Sequence, residues 1–195
     1  MLPKFNSPVC EEPFLHAIAE NSISDTSAEL ILNWFETNAP WKLKVASFYQ
    51  QYEFDILNTP LPVRIANIFS NKSLLSLKKN IENTFKTSLS HKISVVAHKL
   101  TKGQVIKIHN DFRPGKESHR VLMQFNRGWD VENGGILMLF SSESSESVTN
   151  AFLPIHKSAF AFEISEKSLH AVSSIVKGER YTVVLSFYQA GYEYY

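Results

Sequence analysis

Two periodicities divide the chain. Over 24–38 the apolar residues Leu30, Ile31, Trp34 and Phe35 recur at helical spacing, and Thr26 and Glu29 stand at capping-box spacing ahead of them. A second helix is predicted over 72–87, capped by Asn71 or Ser73, with Leu74, Leu77, Ile81 and Phe85 on one side. From about Lys92 the period shortens to two. β-Branched and aromatic runs at 92–100, 104–110, 120–126, 136–140, 158–164 and 180–188 alternate with turn-rich segments, the pattern of a sandwich or barrel. Gly134-Gly135 marks a tight turn, and 141–147 (SSESSES) is too polar for a strand. The expectation is one domain over 1–195, mainly β with flanking α. A helical support (about 1–90) would buttress an antiparallel sheet pair (about 91–190).

On the strand QVIKIHND, period-two alternation places Ile106 and Ile108 on one face and Lys107, His109 and Asp111 on the other, so the last two can converge on one ion. A His-x-Asp triplet alone is weak, because it arises often by chance. The last strand sharpens it: Arg180, Thr182, Val184 and Ser186 share one face, and Tyr181, Val183, Leu185 and Phe187 the other. His170 lies ten residues earlier, and a turn at Val176-Lys177-Gly178 can bring it near Arg180. Two His and one carboxylate on one face of an octahedron leave three positions for a co-substrate and dioxygen, which suits non-haem iron. Zinc on the same ligands stays chemically open, although no zinc-hydrolase helix motif is present.

These residues, with VLMQFNRGWDVENGGILMLF (121–140) and SAFAFEIS (158–165), resemble the 2-oxoglutarate/iron(II) oxygenase superfamily, closest to its prolyl 4-hydroxylase-like branch. The resemblance runs from about Val95 to Tyr188. It implies a double-stranded β-helix, or jelly roll, with iron(II) held by His109, Asp111 and His170, 2-oxoglutarate as co-substrate and ascorbate as a supporting reductant. Arg180 would pair with the distal carboxylate of 2-oxoglutarate, its planar fork matching two oxygens, with a hydroxyl from Thr182 or Ser186. Gln124 stands where the branch often carries a Tyr, and His98 is the polar group on the neighbouring strand. The implied reaction consumes dioxygen and hydroxylates an aliphatic C–H bond of an amino acid, peptide or protein residue, releasing succinate and CO2. Asp111 fills the position that related halogenases leave open for chloride. Desaturation or cyclisation would use the same iron chemistry, and a non-catalytic jelly-roll binding module is the rival of a different class.

The segment 112–120 follows Asp111 directly and reads as a loop with a Pro-Gly turn. Its cations Arg113, Lys116 and Arg120, against the acid Glu117, would favour a carboxylate at a closing lid. His16, His91 and His156 read as ordinary histidines, and Trp34, Trp41 and the tyrosines of 48–54 as core rather than platform. Twenty Lys plus Arg against 19 Asp plus Glu gives no basic surplus for nucleic acid. No apolar run approaches the roughly 20 residues that span a bilayer, and no signal core opens the chain. Cys10 is the single cysteine, so metal ligands must be nitrogen and oxygen. A cytoplasmic protein without nucleic-acid or membrane partners is expected.

Overall fold

The computed structural model describes residues 2–115 and 117–191. Its elements in chain order are β1 (His16–Ala19), α1 (Asp25–Thr37), β2 (Lys42–Val45), β3 (Gln50–Asp55), α2 (Val63–Ile68), α3 (Asn71–Phe85), β4 (Leu89–Leu100), β5 (Ile106–His109), β6 (Glu117–Gln124), β7 (Leu137–Phe140), β8 (Val148–Phe152), β9 (Ala159–Glu163), β10 (His170–Val172) and β11 (Arg180–Gln189). A seven-stranded sheet has the order β1-β9-β6-β11-β4-β3-β2, and a four-stranded sheet the order β5-β10-β7-β8. Every pairing between these strands is antiparallel.

Strand alternation sorts the larger sheet into two working faces. Val95, Ala97, Val121, Met123, Val183, Leu185 and Phe187 point outward and pack on the apolar stripes of α1 (Ile31, Leu32, Phe35) and α3 (Leu74, Leu77, Ile81). On the inner face Leu122, Phe160, Phe162 and Val184 meet Leu137, Leu139 and Val172 of the smaller sheet. The jelly-roll expectation is met, with the helices on one side of the larger sheet.

Both predicted helices form, with different caps. Ser24 caps α1 by accepting from the Ser27 amide, leaving Thr26 inside the first turn, and Ser70 occupies the cap position of α3. The first ninety residues are not helical throughout, because β1, β2 and β3 join the larger sheet. Strands β2 and β8 are almost wholly exposed, so their sequences carry no alternation to read, and pairing rather than burial defines them. Trp34 and Trp41 pack with Phe35, Phe54 and Tyr181 in the core, as expected. No helix among the described residues is long and apolar enough to cross a membrane.

Candidate metal and co-substrate site

His109 closes β5 and His170 opens β10, and the two are register partners across the smaller sheet. Their rings lie 4.2 Å apart. Asp111 joins them by a route the alternation did not contain. Ile106 pairs with Val172 while His109 pairs with His170, so three residue steps on β5 match two on β10. This bulge turns His109 to the same cavity as Ile106. β5 ends at His109, and Asp111, with φ +60°, swings its carboxylate back in a left-handed conformation that Asp tolerates better than most residues.

Potential ligand atoms of His109, Asp111 and His170 all lie within 4.8 Å of one another. Asp111 Oδ1 is 3.5 Å from His109 Nε2, and Oδ2 is 3.3 Å from His170 Nε2. Each imidazole bonds through Nδ1 to the backbone carbonyl two residues earlier, His109 to Lys107 at 2.8 Å and His170 to Ser168 at 2.7 Å. Donation there puts the proton on Nδ1 and leaves the Nε2 lone pair facing the carboxylate, the tautomer a metal requires. Burial disfavours the charge on Asp111, but the Arg120 guanidinium beside it opposes burial, and the carboxyl is held well below the usual range. Burial also pushes the His170 pKa down, favouring the neutral ligand form. Phe48 packs on the His109 ring at 4.6 Å and Phe162 on His170 at 5.0 Å, an apolar surround for the two imidazoles.

Arg180 faces the same cavity, of about 580 Å³, from the larger sheet. β10 pairs with β5 and β7, so His170 and Arg180 meet across the barrel rather than as neighbours in a hairpin. Arg180 is 4% exposed. Its Nη1 donates to Thr182 Oγ1 at 2.8 Å, and Thr182 donates to Gln124 Oε1 at 2.9 Å. Nε and Nη2 are buried with no partner, and burial pulls the guanidinium pKa down to about 10. A buried cation with two unmatched donors is costly unless an anion joins it. The open side of the fork fits a carboxylate.

Thr182 is thus the hydroxyl beside Arg180. Ser186 stands further along the same face, in register with Arg120. His98 is the β4 register partner of Thr182 and lines the cavity. Burial holds its pKa at about 4, and its Nε2 is 3.9 Å from Glu53.

The segment after Asp111 differs from the expected lid. β6 begins at Glu117, so the loop is shorter, and Arg120 belongs to the strand, bound to Asp111 and Glu117. Arg113 is exposed, and Lys116 lies outside the described residues. The run 120–126 opens on Arg120, and alternation with Leu122 and Gln124 turns its side chain inward, away from the lid expected over 112–120. Phe48, Lys44 and Glu53 also line the cavity and were not singled out.

Residues 95–188 match the family model described as the 2OG-Fe(II) oxygenase superfamily. No curated protein matches the chain. Among solved structures, a Pseudomonas putida prolyl-4-hydroxylase is similar with a TM-score of 0.74 at 15% identity, over 89% of this chain and 92% of that one. A Trichoplax adhaerens prolyl hydroxylase, solved with a hypoxia inducible factor peptide fragment, gives 0.72 at 13% identity, over 89% and 83%. A viral collagen prolyl hydroxylase from Paramecium Bursaria Chlorella virus-1, in a 2OG complex, gives 0.63 at 12%, over 90% and 96%.

Proposed function

Because the chain belongs to the 2OG-Fe(II) oxygenase superfamily, with a fold like that of the prolyl hydroxylases, we propose that it hydroxylates an aliphatic C–H bond of an amino acid, peptide or protein residue. The enzyme is an iron(II)/2-oxoglutarate-dependent dioxygenase. In this reading His109, Asp111 and His170 hold the iron and Arg180 the distal carboxylate of 2-oxoglutarate, with Thr182 and Gln124 fixing the guanidinium. The observation that carries it is a single cavity in which three preformed ligands lie across from a buried Arg with two unmatched donors.

When bound, the iron–2-oxoglutarate pair activates dioxygen with release of succinate and CO2 and supplies the oxidant for a C–H bond. The protein's own contributions are positional. Lys107 and Ser168 carbonyls fix the two imidazoles, Asp111 stays ionised, and Arg180 orients the co-substrate from a buried position where the pairing is poorly screened. His98, neutral by burial, is proposed to border the co-substrate. At the mouth, Phe48, Phe112, Arg113 and Glu117 line a further cavity of about 430 Å³ that also reaches His109 and Asp111. A partly charged, partly aromatic mouth suits a peptide-like substrate with a carboxylate or backbone acceptor. The peptide complex of the Trichoplax relative supports the same choice. The cytoplasm is the proposed compartment.

The test is succinate formation by purified protein given iron(II), ascorbate, 2-oxoglutarate and a panel of proline-containing peptides and free amino acids. Stimulation by a panel member, with a product 16 mass units heavier, supports hydroxylation. A loss of two mass units would redirect the reading to desaturation or cyclisation. No succinate from folded, iron-loaded protein with any panel member would favour a binding module.

A further inference from the structure

Arg120 has no part in the reading above, yet it is the cation that touches a proposed metal ligand. It sits on β6 between Ser186 of β11 and Phe162 of β9, with 17% of its side chain exposed. Nη1 donates to Asp111 Oδ2 and Nη2 to Glu117 Oε2. Nε is buried without a partner. Glu117 holds the guanidinium from one side, so the group that meets Asp111 is fixed by a strand backbone and by a second carboxylate.

The consequence concerns which oxygens of Asp111 are free. A carboxylate can give a metal one oxygen or both, and the second oxygen occupies a further coordination position. A chelating 2-oxo acid needs two positions and dioxygen a third, so a facial triad works only when its carboxylate uses one oxygen. A charge-assisted hydrogen bond from a held guanidinium competes directly for Oδ2. Oδ1, on the His109 side, has no competitor of that kind among the described residues.

We propose that Arg120 is a positioning residue that restricts Asp111 to coordination through Oδ1 and so keeps open the position that a chelating 2-oxo acid needs. The proposal rests on the triad reading given above. A merely structural alternative exists: Arg120 ties Asp111 to Glu117 and so staples the ends of the loop between them.

Three variants separate the two: R120Q removes the charge and the fork, R120K keeps the charge, and E117Q releases the far end of the staple while leaving the Asp111 contact. The readouts are the visible absorption of the Co(II)-loaded protein, which reports coordination number, and the affinity of that form for 2-oxoglutarate. Wild-type protein that binds Co(II) and 2-oxoglutarate establishes the underlying reading separately from this one. R120Q is expected to keep Co(II) but to change its spectrum and to bind 2-oxoglutarate about tenfold more weakly. R120K should recover part of that loss, and E117Q, which loosens the guanidinium but keeps its contact with Asp111, should lose clearly less than R120Q. Should R120Q fail to fold, R120K against E117Q decides: weaker 2-oxoglutarate binding in R120K alone supports the proposal. A wild-type spectrum and affinity in R120Q or R120K, or an equal loss in E117Q, overturns it.

Discussion

His109 and His170 face each other across the β5–β10 pair with ring centroids 4.2 Å apart, each anchored through Nδ1 to the backbone carbonyl two residues earlier. Replacing either with Ala is therefore expected to abolish iron binding and turnover while leaving the fold intact. Asp111→Ala should lose iron as well, but it also strips Arg120 of one of its two acids. A stability cost of about 1–3 kcal/mol is expected, below the value for a fully buried pair because Glu117 remains. Denaturant unfolding of the metal-free proteins checks the contrast, and equal stability of all three variants would remove it.

Arg180→Met should separate function from stability. Its two unmatched donors are buried in the metal-free protein, so removing the charge should cost little stability or raise it. Affinity for 2-oxoglutarate should fall by about a hundredfold, in line with losing one partner of a buried charge pair, with a much smaller effect on iron binding. Calorimetric titration of each ligand makes the comparison. A comparable loss of iron affinity would place Arg180 in support of the metal instead.

Gly135 lets Arg180 lie where it does. With φ +65°, a Cβ there would stand 2.7 Å from Ile175 Cδ1 and 2.8 Å from Arg180 Cδ. Gly135→Ala is expected to cost about 1–3 kcal/mol and to weaken 2-oxoglutarate binding more than iron binding. Melting curves with and without 2-oxoglutarate report both effects.

Acid should weaken the fold through His119, buried on the helix side of β6 against Phe85. Burial lowers its pKa from 6.5 to about 4, so between those values the unfolded chain binds a proton that the folded protein refuses. The associated stability is fully present above pH 6.5 and is lost as pH falls through about 4, a total of about 3 kcal/mol. His119→Leu should flatten that part of the profile measured by urea unfolding. An unchanged slope would assign the acid sensitivity to other histidines.

Where alternation is strict and both faces are buried, the sequence was directly legible. The inward face of β11, from Arg180 to Ser186, is the example, and the Arg180–Thr182–Gln124 chain of hydrogen bonds follows from its register. At β5 alternation singles out two of the three residues that the structure clusters, but for an incomplete reason. A bulge and a left-handed Asp111 bring them together, and neither leaves a mark in hydrophobic pattern. Arg120 stands at the overlap of the predicted run 120–126 and the predicted lid 112–120, and sequence pattern alone does not choose between them; the early start of β6 at Glu117 does. Edge strands β2 and β8 carry too little burial to be patterned at all.

The central claim is that one cavity holds iron(II) on His109, Asp111 and His170 and 2-oxoglutarate between that iron and Arg180. Anaerobic addition of 2-oxoglutarate to the iron(II)-loaded protein tests it through the visible metal-to-ligand charge-transfer band of a bidentate 2-oxo acid chelate. The band should saturate at one equivalent of 2-oxoglutarate per iron in wild type, require far more 2-oxoglutarate in Arg180→Ala, and be absent in His170→Ala. A folded, iron-loaded wild type without the band, or a band undiminished in His170→Ala, would contradict the account.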